Sequence, residues 1–142
     1  LETLLNLKNQ FEKNIKNELG KEIQKLEKEK KIMDNYLKEK DNYLNVYNNK
    51  LNSMVEVRYI REMSEYLIQL KKRIEFQKKT INKFEKSVDI IRVKLIKIVR
   101  EKKMLEKLKE KEFEKYNKEE LKVEQKLNDE IASYKHIDKI NN

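Results

Sequence analysis

The chain has 142 residues with no proline, no cysteine, no tryptophan and a single glycine, Gly20, while 43% of its residues are charged. Tight turns usually draw on glycine or proline, so multi-stranded β and α/β folds are excluded and long helix, coiled coil or disorder remains. The excess of 35 basic over 26 acidic side chains is uneven: the window 71–103 holds 13 basic and 4 acidic residues, whereas residues 101–142 balance at 11 and 11.

The N-terminal segment carries apolar residues every four positions, Leu7, Phe11, Ile15, Leu19 and Ile23. That spacing drifts from a strict heptad and predicts a supercoil that relaxes near the N-terminus. From Leu19 the stripe steps by four and three through Ile23, Leu26, Lys30, Met33, Leu37, Lys40, Leu44, Tyr47, Leu51 and Met54, nine of these eleven positions being apolar. Gly20 lies inside this helix at a cost of about 1 kcal/mol relative to alanine, which points to close packing or local flexibility as its reason.

The segment Tyr47-Asn48-Asn49-Lys50-Leu51-Asn52-Ser53 interrupts the pattern with three asparagines. Asparagine tolerates the left-handed conformation a turn needs, and Ser53-Met54-Val55-Glu56 fits a capping box at a helix start. A second apolar run then begins: Ile60, Met63, Leu67, Leu70, Ile74, Gln77, Ile81, Phe84, Val88, Ile91, Leu95 and Ile98. Eleven of these twelve are apolar, with Gln77 the exception. A three–four spacing sustained this long is a coiled-coil seam. It decays through Lys102, Leu105, Lys109, Glu112 and Tyr116.

These patterns predict an all-α fold: a two-helix antiparallel coiled-coil hairpin with a longer second helix, in one domain spanning residues 1–142. The first helix is expected at about 2–48, the turn at about 48–53 and the second helix at about 54–138. Residues facing each other across such a turn have numbers adding to about 101, which sets Leu4 beside Lys97 and ends the first helix where the seam decays. Roughly the last 40 residues then project beyond the partner helix. They carry only a thin apolar line through Leu105, Leu108, Tyr116, Val123, Leu127, Ile131 and Tyr134.

Nothing in the sequence assembles a reaction centre. The one histidine, His136, lies near the C-terminus, and both metal sites and nucleophilic triads need several convergent groups. No cofactor, metal ligand or catalytic residue is therefore assigned, and the chain is not read as an enzyme. No apolar run reaches the length needed to span a bilayer. The opening residues lack the basic and apolar regions of a secretory signal, so the expected compartment is the cytoplasm. Nucleic acid is disfavoured, because the basic block overlaps the heptads instead of preceding them and has no stacking platform. The charge stripe favours an acidic protein partner. Tyr36, Tyr43 and Tyr47, with Tyr59 and Tyr66 across from them, mark either a cap on the seam or a docking patch near the turn.

Several segments resemble the flagellar export protein FliJ family. They are Leu1-Glu2-Thr3-Leu4 opening a helix, Gly20, the region around Tyr43, and Tyr66-Leu67-Ile68-Gln69-Leu70-Lys71-Lys72-Arg73-Ile74-Glu75. Arg100-Glu101-Lys102-Lys103 with Leu105 and Leu108, then Glu124-Gln125-Lys126-Leu127-Asn128-Asp129-Glu130, complete the set. The resemblance covers essentially the whole chain, with one departure: the turn lacks the glycines often found there. It implies a stalk and adaptor of flagellar type III secretion, akin to the central stalk of rotary ATPases. Such a protein binds the hexameric export ATPase ring, the membrane export gate and export chaperones. It sits at the cytoplasmic face of the cell membrane, with only indirect membrane contact. By position, the resemblance assigns gate contact to Tyr43, Tyr66, Leu70 and Gln77, and the ATPase side to Arg100, Lys103, Leu105, Leu108, Gln125 and Asp129. The alternative is a generic coiled-coil scaffold or dimerisation protein with no role in secretion.

Overall fold

The computed structural model describes residues 1–52 and 56–141. Two helices account for the described fold, α1 over Glu2–Leu51 with 50 residues and α2 over Val57–Asn141 with 85. They pair antiparallel, so the fold is the all-α coiled-coil hairpin with a longer second helix. Glu2 in the first turn of α1 and Lys50 in its last complement the helix dipole. The Glu56 carbonyl opens α2 by accepting the amides of Tyr59 and Ile60 at 3.0 and 3.3 Å. Ser53, Met54 and Val55 of the expected capping box lie outside the described residues.

Asn48 and Asn49 do not turn the chain. Both continue α1, which runs on to Leu51, and no described residue takes a positive φ. The longer first helix moves the point of reversal toward the C-terminus, and the register moves with it. Glu39 meets Tyr66, Glu29 meets Gln77, Glu22 meets Ser87 and Lys8 meets Glu101, pairs whose numbers add to 105, 106, 109 and 109. The expected neighbour of Lys97, Leu4, is displaced accordingly. The first helix does not stop where the apolar seam decays but continues beside the charged positions that follow.

The chain divides into two compact units, Glu12–Ile96 and Leu1–Phe11 with Lys97–Asn142. In the first, the seam of α2 is as its spacing predicts: from Ile60 to Leu95 every position named above is buried or half-buried. Met33, Leu70 and Ile74 form the tightest cluster, with Tyr36, Tyr66 and Ile81 packed around it. The matching row on α1 differs from the apolar stripe. Leu19, Leu26, Met33, Lys40 and Tyr47 face α2 as expected, but the alternate positions are Glu22, Glu29, Tyr36, Tyr43 and Lys50, all half-buried. Lys30, Leu37, Leu44 and Leu51 turn to solvent. The rotation has a physical reason. Glu22 and Glu29 meet polar partners on α2, and the tyrosines and lysine bury their apolar bodies while keeping a polar tip accessible.

In the second unit, Leu5 is buried, Lys8 is half-buried, and Leu7 and Phe11 are exposed. The row facing α2 therefore keeps the heptad spacing; of the four-residue row that suggested a relaxing supercoil, Leu7 and Phe11 lie outside, while Ile15, Leu19 and Ile23 are half-buried. The Lys8 ammonium pairs with the Glu101 carboxylate at 2.7 Å, an ion pair where the sequence offers no apolar contact. Beyond Leu105 every residue of α2 through Ile140 is exposed.

Candidate interaction surfaces

The residues expected at the export gate fall together in the Glu12–Ile96 unit. Tyr43 comes from the third turn before the end of α1 and Tyr66 from the third turn of α2. Their rings stack with centroids 4.3 Å apart and planes 27° apart. The Tyr66 hydroxyl donates to the Glu39 carboxylate. Losing its proton would set a phenolate against that carboxylate, so the phenol is pushed above its ordinary value of 10.0 by this hydrogen bond, then by partial burial and by the Glu39 charge. Tyr66 also packs on the cluster holding Leu70, which is 1% exposed. One further step along the seam, Gln77 is 6% exposed. Its amide donates to the Glu29 backbone carbonyl at 2.9 Å and to the Glu29 carboxylate at 2.5 Å. Thus Tyr43 and Tyr66 keep accessible edges, while Leu70 and Gln77 are interior to the closed hairpin.

Three residues escaped the sequence reasoning: Glu22, Glu29 and Glu39, the α1 acceptors for Ser87, Gln77 and Tyr66. The signal for Glu29 was present, since a lone amide in an apolar seam requires a polar partner across it. Tyr59 stands apart from the stacked pair, exposed, with the Lys50 ammonium 5.5 Å from its ring centroid.

The residues expected on the ATPase side all lie on α2 in the other unit. Leu105 is half-buried and the remaining five are exposed. They do not form one face. On a helix of 3.6 residues per turn, Arg100, Lys103, Gln125 and Asp129 fall within an arc of about 80°, while Leu108 and Leu105 lie successively further round, Leu105 opposite Lys103. What does line up is apolar: Tyr116, Val123, Leu127 and Tyr134 share one side of a straight helix of 3.6 residues per turn, although Leu127 and Tyr134 stand one residue off the heptad steps of the seam, and each is more than half exposed. Tyr116 is further tied to its own helix, donating its hydroxyl to Glu120 at 2.7 Å. No described helix is long and apolar enough to cross a membrane.

Against known families, the chain matches the family described as Flagellar FliJ protein over residues 1–141. No curated protein and no solved structure matches it.

Proposed function

The chain belongs to the flagellar FliJ family and is on that ground a component of the flagellar protein export apparatus, serving flagellum biogenesis and motility; we propose that within it the hairpin acts as a stalk and adaptor between the export ATPase ring and the membrane export gate. One observation carries this reading. Past the end of the seam, Tyr116, Val123, Leu127 and Tyr134 form an apolar line along one side of α2 and are each more than half exposed, which suits insertion of a bare helix into a partner's cavity. The export ATPase ring is the proposed recipient, with Arg100, Lys103, Leu105, Leu108, Gln125 and Asp129 contributing from both sides of the helix.

The proposed gate contact uses the other unit. Tyr43 and Tyr66 supply the accessible ring edges, Leu70 belongs to the cluster on which Tyr66 packs, and Gln77 fixes the register further along the seam through Glu29. Export chaperones are further proposed partners, and the proposed location is the cytoplasmic face of the cell membrane at the flagellar base.

Capture of the purified ATPase tests the first contact. Leu108→Asp combined with Leu127→Asp alters only exposed side chains and is expected to weaken capture at least about tenfold with helical content unchanged. Unaltered capture would remove the ATPase assignment. For the gate, Tyr43→Ala is expected to shrink swimming halos while ATPase capture persists.

A further inference from the structure

The outward face of α2 in the Glu12–Ile96 unit combines two features that the hairpin does not use. The first is bulky apolar side chains turned fully to water: Ile68 at 54% exposure, Phe76 at 71%, Ile90 at 59% and Val93 at 66%. The second is a row of exposed lysines on the same side of the helix, Lys72, Lys79, Lys83 and Lys86. None of these four has an ion-pair partner among the described residues. The two acids bordering the face are already engaged, Glu75 with Lys78 at 3.4 Å and Asp89 with Arg92 at 3.7 Å. Around Phe76 the combination closes into a shallow hollow lined by Ile68, Lys71, Lys72, Glu75 and Lys79.

We propose that this face lies directly on an anionic phospholipid surface, with Phe76, Ile90 and Val93 entering the acyl boundary and Lys72, Lys79, Lys83 and Lys86 meeting the headgroup phosphates. Charge complementarity selects the sign of the partner, and the order of residues selects its kind. A partner helix requires apolar knobs recurring every three and four residues. Here the stretch between Phe76 and Ile90 presents Lys79, Lys83 and Lys86 instead. A fluid interface requires no register. It accepts separate apolar wedges, and lysine stems extend their ammonium groups to the phosphates beside them. A nucleic-acid backbone has use for the lysines but none for a phenyl and two branched aliphatics held in water. The contact is independent of the stalk reading, since it uses neither the stacked tyrosines nor the bare end of α2.

Flotation of the full chain with vesicles tests this. Phosphatidylglycerol–phosphatidylcholine vesicles are expected to carry the protein up the gradient, pure phosphatidylcholine vesicles are not, and added salt weakens the binding. Changing Lys72, Lys79, Lys83 and Lys86 together to Glu is expected to cost about a hundredfold or more in affinity. The same four changed to Gln, a milder variant whose helicity is checked by circular dichroism, lose affinity in the same direction. Phe76→Ser with Ile90→Ser keeps every charge and is expected to cost about tenfold. Phe76→Trp is expected to shift its emission to the blue on the anionic vesicles and to be quenched by acyl-brominated lipid. Three results would overturn the proposal: no flotation at low salt, binding indifferent to Phe76 and Ile90 with unshifted Trp emission, or tighter binding to duplex DNA or polyglutamate through the same four lysines.

Discussion

Gly20 occupies mid-helix with nothing within 4 Å of where a Cβ would stand and without a positive φ. Neither close packing nor a special backbone conformation requires glycine there. Gly20→Ala is therefore expected to stabilise the hairpin by about 0.5–1 kcal/mol, read as a higher urea midpoint with unchanged slope. At the same scale, two hydrogen bonds make stability depend on pH at opposite ends of the range. Tyr66 has a folded pKa above its unfolded one, so its contribution is whole below the ordinary phenol value and is lost as pH rises through the raised one. Glu101 is the reverse case. The Lys8 ammonium bonded to it holds the carboxyl below its ordinary 4.5, so its contribution is whole above that value and is lost as pH falls through the depressed one. Tyr66→Phe should flatten the alkaline limb of the melting profile and Glu101→Gln the acid limb, each leaving the other limb in place.

Between the two helices, burial is unequal in kind. Leu70, 1% exposed, makes α2's deepest contact, and Leu70→Ala is expected to cost about 2–5 kcal/mol. Leu37 and Leu44 belong to the most apolar stripe of α1 yet stand 42% and 36% exposed, so Leu37→Ala or Leu44→Ala is expected to cost less than about 1 kcal/mol. Chemical denaturation of the three variants decides between the apolar stripe and the observed contact row. The seam of α2 was legible because, Gln77 apart, its buried positions are also its apolar ones. The row on α1 was not, because hydropathy ranks Leu37 above Tyr36 and Leu44 above Tyr43, although the tyrosines cover more area against α2. The turn misled for a related reason: asparagine permits a reversal, but Asn48 and Asn49 lose nothing by remaining helical while Lys50 beside them packs over Tyr59. Of the expected gate residues, the pairing of Tyr43 with Tyr66 follows from spacing once the register is right. The two-sided scatter of the ATPase set does not, because it came from positions matched along the chain with no reference to helical phase.

Taken whole, the molecule spends its buried surface on one seam. Residues past Leu105 contribute none of it, so deleting everything after Phe113 is expected to leave the calorimetric midpoint of the hairpin within a few degrees of the full chain while abolishing ATPase capture. Charge is distributed along the same division. Of the net +9, the window 71–103 accounts for all, and residues 101–142 sum to zero. The basic field therefore belongs to the stretch that is already folded against α1, and the bare helix approaches a partner without net repulsion or attraction. Exposed pairs such as Arg58–Glu62 and Lys30–Glu27 add little to stability.

Within the Glu12–Ile96 unit the hydrogen-bonded rungs across the seam also have a direction. Ser87, Gln77 and Tyr66 on α2 donate, and Glu22, Glu29 and Glu39 on α1 accept. Two copies of α1 laid side by side in parallel register would set Glu22 against Glu22 and Glu29 against Glu29, four anionic acceptors with no proton to share. Such a pairing both repels and leaves its acceptors unanswered. The polar rungs thus key α1 to the unlike helix and against a parallel, in-register pairing with a second α1.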